Sequence, residues 1–146
     1  MTKFLVVCNK NCLFWTNIFP LYMEGKIDFG YHQPNIMMNP QGEKVGMQGI
    51  CRWLTTFKID RPEREITPLP VEEFETIDNA DIINTDSIYS IPDTDKLIAV
   101  PIGIIDYPIK DYEIIGKLHT GKSKYDYGIP TVNNKVKYTR VLIKRN

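Results

Sequence analysis

The chain has 146 residues, enough for one sizeable core, with 42% hydrophobic and 25% charged residues and a formal net charge of zero. A neutral total argues against strong autonomous binding to nucleic acid, whose affinity comes largely from neutralised phosphates. No stretch is long enough to span a bilayer, and no basic start precedes an apolar segment with a small-residue cleavage site. A single cytoplasmic domain over 1–146 is therefore expected.

Phe4-Leu-Val-Val-Cys8 is an unbroken apolar run rich in β-branched residues, which reads as a strand covered on both faces. Trp15, Ile18, Phe19 and Tyr22 then recur on one helical face. Thr16 or Asn17 can cap that helix, Pro20 fits only its first turn, and Gly25 stops it, so the main helix is predicted at about 15–25. Lys26–Tyr31 alternates and predicts a second strand, while 32–48 reads as loop because Pro34, Pro40, Gly42 and Gly46 interrupt any period. Ile50–Phe57 predicts a third strand. Leu97–Ile105 predicts a fourth, bent or at an edge because of Pro101. Tyr112–Ile115 predicts a short strand or helical turn, and Thr131–Ile143 a hairpin turning at Asn133-Asn134. The sum is an α+β fold: a β-rich mixed sheet with one main helix.

The charge is unevenly spread. Residues 72–95 carry eight acids and no Lys or Arg, whereas 96–146 carry ten bases against four acids. Such blocks either pair internally or form two working surfaces of opposite sign. Glu72, Glu73, Glu75, Asp78, Asp81 and Asp86 are the candidate acidic partner surface. Lys117, Lys122, Lys124, Lys135, Lys137 and Arg140, interleaved with Tyr125, Tyr127 and Tyr138, are the candidate nucleic-acid contacts.

Gly116-Lys-Leu-His-Thr-Gly-Lys-Ser123 matches the phosphate-loop pattern letter for letter. That chemistry needs the loop to open a helix, so that amides converge on the phosphates. Lys124–Pro130 is poor helix material, so the match is expected to be incidental. Cys8, Cys12 and Cys51 form an odd count without a Cys-x-x-Cys knuckle, and reduced structural thiols are expected rather than a metal site with His32 or His119. Asn39-Pro-Gln-Gly42 lacks the second proline and the aromatic residue of an adenine methyltransferase loop, and reads as a turn.

Several stretches resemble the EcoRI-type adenine-specific DNA methyltransferases. Lys3–Asn11 is similar to the family's lysine, strand and Asn-x-Asn, and Ile18-Phe19 and Lys26-Ile27 sit where it has matching pairs. Arg52–Phe57 is similar to its Trp-Leu/Phe-Thr-Asn segment, with Thr56 in place of the Asn. The most specific stretch is Asp78-Asn-Ala-Asp-Ile-Ile-Asn84, followed by Ile91-Pro92 and Val100-Pro-Ile102 at the family's spacings, and Tyr138–Arg145 resembles its closing strand.

The resemblance implies that the sheet derives from the second, C-terminal half of such an enzyme. The half with the S-adenosylmethionine pocket and the Asn-Pro-Pro-Phe loop has no counterpart in these residues, so no catalytic residue, cofactor site or metal ligand carries over. The expected function is a non-catalytic binding protein, for example a phage or mobile-element anti-defence (anti-restriction or anti-CRISPR) inhibitor acting by protein or nucleic-acid binding, with a defence effector, a methyltransferase half or DNA as its partner. The alternative is the DNA-recognition subunit of a split adenine methyltransferase. An interior strand at Phe4–Cys8 that has lost one neighbour is also expected to pair with a second copy, giving a homodimer with Leu5 and Val7 near the seam.

Overall fold

The structure, a computed structural model, describes residues 2–30, 36–46, 49 and 51–146. The chain groups into two compact units, Met1–Asp60 and Arg61–Asn146.

In the first unit, β1 (Leu5–Asn9) pairs antiparallel with β5 (Cys51–Thr55), and β2 (Asp28–Phe29) lies on the other side of β5. The strand order β1-β5-β2 puts the apolar N-terminal run at an edge. It is not covered on both faces, since Leu5 and Val6 are 54% and 45% exposed. The main helix, α1, is confined to Phe19–Met23, shorter than the predicted 15–25. Its start has no side-chain cap, so the stretch before it forms only tight turns in which Ile18 and Phe19 donate to the Trp15 carbonyl. Pro20 sits in the first turn, where its missing N–H costs nothing, and Gly25 follows the end with φ +75°. Phe19 is fully buried in an aromatic row with Phe14, Tyr22 and Phe29, at centroid spacings of 5.8–6.0 Å, whereas Trp15 faces solvent.

Two expectations are corrected here. Part of the 32–48 loop is a hairpin, β3 (Ile36–Met38) and β4 (Lys44–Gly46), whose turn contains Pro40 and Gly42, two of the residues that break the period. Cys8 and Cys12 are joined in a disulfide rather than held as thiols, because the turn after β1 brings Cys12 back to within 6.6 Å (Cα–Cα) of Cys8. Cys51 remains a buried free thiol.

The second unit is built on a five-stranded mixed sheet. Its strands are β6 (Glu75–Thr76), β7 (Ile82–Asn84), β8 (Leu97–Pro101), β9 (Tyr112–Leu118) and β12 (Arg140–Arg145), in the order β6-β7-β8-β12-β9. Only β7 and β8 run parallel. A bulge at Leu142/Ile143 shifts the register between β12 and β9. β8 is not at an edge: it lies inside the sheet, and the chain leaves it at Pro101 into a 3₁₀ turn, Ile102–Ile105. Val141, Leu142 and Ile143 are buried in succession, as a strand covered on both faces requires. Leu142 packs with Ile77, Ala99, Leu118 and Val132, so truncating it to Ala removes about 2–5 kcal/mol.

The remaining strands, β10 (Thr131–Val132) and β11 (Lys135–Val136), form the expected hairpin at Asn133-Asn134. Both asparagines have positive φ (51° and 64°), the conformation of a two-residue type I′ turn. The hairpin ends there; β12 leaves it to insert between β8 and β9.

Candidate nucleic-acid interface

The acidic and basic segments meet at the end of β7. Arg140 projects from the start of β12, its Nε donating to Asn84 Oδ1 (3.2 Å) and its terminal nitrogen to Asp86 Oδ1 (2.6 Å). The Lys137 ammonium lies 3.5 Å from Asp86 Oδ2. Burial alone would raise the Asp86 carboxyl, but the hydrogen bond from Asn84 and the charges of Lys137 and Arg140 outweigh it and hold the pKa below the usual value. Thr85 locks the following turn by donating to the Ser90 carbonyl at 2.7 Å. An open groove of about 450 Å³ lies against this cluster, lined by Glu73, Phe74, Glu75, Asp86, Ser87 and Lys137.

The same pairing repeats along the two segments. Arg145 reaches Asp93 and Asp95 at 2.7 and 2.9 Å, and Lys96 reaches Asp81 at 2.8 Å. Asp78 accepts the backbone N–H groups of Asn133 (3.0 Å) and Asn134 (2.8 Å), and Glu75 lies 3.4 Å from the Asn133 side-chain nitrogen. The run Asp78–Asn84 is thus a fastening: its first residue caps the β10–β11 turn and its last holds Arg140. Of the six candidate acids, Glu75, Asp78, Asp81 and Asp86 are engaged within the chain, while Glu72 and Glu73 project from an exposed 3₁₀ turn.

The candidate cations also divide. Lys117 is 1% exposed, so it cannot meet a phosphate at the surface; burial lowers its pKa and the charge of Asp126 acts against that shift. Arg140, 6% exposed, is committed to Asn84 and Asp86, and Lys137 is half-buried against Asp86. Both were nucleic-acid candidates on charge alone, and the internal ion pairs take them. Lys122, Lys124 and Lys135 are exposed, on the loop after β9 and on β11. They stand in a stretch that also exposes Tyr127, Ile129, Val136 and Tyr138, the last at 91%. Lys124 lies 5.2 Å from the Tyr125 ring centroid.

The phosphate-loop match covers the end of β9 and the following loop, and no helix succeeds Ser123. The loop amides instead turn to Asp126. Oδ1 accepts the N–H groups of His119 (3.0 Å) and Gly128 (3.3 Å), and Oδ2 accepts the N–H (3.0 Å) and hydroxyl (3.3 Å) of Thr120. Burial raises the Asp126 carboxyl, but the amides of Thr120, Gly121, Gly128 and His119 together hold it below its ordinary value. Sequence spacing showed the amides but not what they bind.

Asn39, at the methyltransferase-like tetrapeptide, uses its side-chain oxygen to accept from Gln41 (3.0 Å) and Glu43 (2.8 Å), closing the β3–β4 turn. Among the described residues no group of three or more His, Cys, Asp and Glu side chains is placed to hold a metal ion. His32 lies outside the described residues. Among those residues no helix is long and apolar enough to cross a membrane.

Fold and surface together define a β-rich α+β chain in which Lys122, Lys124 and Lys135 are exposed in one stretch with Tyr127 and Tyr138. Over 97% of its length it is similar to the Type II methyltransferase M.EcoRI of Escherichia coli, at 26% identity over 167 aligned residues. The chain spans 50% of that relative's length. No family model and no solved structure matches.

Proposed function

We propose that this chain is a DNA-contacting module derived from the C-terminal half of an adenine DNA methyltransferase, non-catalytic by itself and serving recognition alongside a separate catalytic half. The observation that carries this reading is the exposed stretch 119–138, where Lys122, Lys124 and Lys135 stand among Tyr127 and Tyr138. Lysines spaced along a surface neutralise phosphates, and exposed tyrosines give bases a face to stack on. The similarity to a DNA methyltransferase points the same way. An anti-defence inhibitor presenting an acidic face to a basic effector draws less support. Most of its acids are already spent on internal partners.

Fluorescence anisotropy with a labelled duplex tests the proposal. At about 50 mM salt we expect micromolar, largely sequence-independent affinity that falls steeply with added salt. Replacing Lys122, Lys124 and Lys135 together by Ala should flatten log K against log[salt] by up to roughly 2.7, at about 0.9 per lost phosphate contact. No binding by the unaltered chain at low salt, or an unchanged slope in the triple variant, overturns it.

A further inference from the structure

The loop after β9 holds four main-chain and hydroxyl donors on two oxygens of one side chain, Asp126. Converging amides of this kind form a concavity that binds anions. Positive φ at Gly121 (+74°), Tyr125 (69°) and Gly128 (+120°) turns the backbone so that the loop closes around the carboxylate. The segment is further tied to β9, because Lys117 donates to the Tyr125 carbonyl (2.8 Å) and accepts from the Tyr127 amide (3.0 Å). The Asp126 residue itself is 8% exposed. The carboxylate therefore sits where the sequence pattern would seat a phosphate, and no room is left for one while it stays.

We propose that residues 119–128 form an anion nest filled by the protein's own carboxylate, and that Asp126 is the positioning residue which sets Lys122 and Lys124 for contact with a phosphate backbone. This rests on the DNA-contacting reading. Asp126 touches no nucleic acid; it acts by fixing the path of the loop that carries the two lysines. The lowered Asp126 pKa agrees with an anion bound by amides. An internal ligand also explains why a phosphate-loop pattern occurs without the helix that nucleotide binding requires.

The test uses Asp126→Ala, which empties the nest. Thermal melts are recorded in acetate, in inorganic phosphate and in chloride at matched ionic strength. The variant should melt lower than the unaltered chain and be raised by acetate or phosphate beyond chloride, since an anion bound only to the native state stabilises it. The unaltered chain should show no such preference. In the anisotropy assay the variant's salt slope should fall by about 2, as if two phosphate contacts were lost, and acetate should restore it. No anion-specific rise in the variant overturns the nest; an unchanged DNA slope overturns the positioning role. Should Asp126→Ala not fold, Asp126→Asn keeps the volume while turning an NH₂ group toward the amides. It is expected to lose the same slope, and an affinity and slope equal to the unaltered chain's overturn the proposal. If the unaltered chain binds no DNA, the parent reading fails, and the melts still decide the nest.

Discussion

Replacing Arg140 by Met is expected to destabilise the second unit by roughly 2–3 kcal/mol, and the structure says where that figure comes from. Asn84 is 3% exposed and its Oδ1 accepts from Arg140 Nε. Removing that donor strands a buried carbonyl, which costs about 1–3 kcal/mol. The ion pair contributes less, because the Asp86 side chain is 62% exposed and water screens it; about 0–1 kcal/mol is appropriate. Methionine keeps most of the aliphatic volume, so a cavity term is not added. Urea titration followed by far-UV circular dichroism should show the midpoint falling, and a thermal melt should drop by roughly 5–10 °C. Asp86→Ala is the control and should cost about 1 kcal/mol or less, because it removes an exposed ion-pair partner and a long contact from Asn84 Nδ2 (3.4 Å) while Asn84 Oδ1 keeps its bond from Arg140 Nε. An Arg140→Met variant within about 0.5 kcal/mol of the unaltered chain would refute the reasoning, as would an Asp86→Ala loss of equal size.

Gly116→Ala should destabilise by about 1–3 kcal/mol, since its Cβ would stand 2.5 Å from the Tyr125 carbonyl oxygen and 2.6 Å from the Tyr127 ring; an unchanged urea midpoint would contradict this. Asp86 and Asp126 both have carboxyls held below their ordinary values. Their stabilisation is therefore complete above the unfolded carboxylate pKa of about 4 and is lost as the pH falls through the lower folded values. Melting temperature should decline below about pH 4, and less so in Asp126→Asn; a flat profile from pH 6 to 3 would count against the assignment. The outer edge of β1, which has no strand partner among the described residues, is expected to pair with that of a second copy. Light scattering at micromolar concentration should give twice 16.9 kDa, reduced to one chain by Val6→Lys at an exposed position; a 16.9 kDa particle for the unaltered chain would exclude the dimer.

Local pattern made part of this legible. Apolar runs located β1, β5, β8 and β12, and Asn133-Asn134 declared its turn because two adjacent asparagines tolerate positive φ. The helix was over-extended because aromatic spacing at Trp15, Ile18 and Phe19 mimics a helical face, although nothing caps the chain there and Pro20 must stand at the first turn. Periodicity hides the β3–β4 hairpin, because Pro40 and Gly42 break the pattern by making its turn. Signs of charge could be counted, but which acid meets which base depends on β12 lying beside β8, a pairing between segments some forty residues apart. The carboxylate inside the loop after β9 was out of reach for the same reason in miniature: a pattern of glycines names the donors, not their acceptor.

The position of β12 has a kinetic side. Strand β9 has no contact with β8 in the ladder; β12 is wedged between them and hydrogen-bonds to both. Until β12 arrives, β9 has nothing to zip onto and Ile98, Val100 and Leu118 keep wet faces. Closing both ladders at once means paying for long loops before any pairing is rewarded, which places the sheet among slow folders. A ribosome would release β6 to β9 as an unfinished, sticky intermediate, and the nascent chain would be most exposed to aggregation and to proteases in that interval.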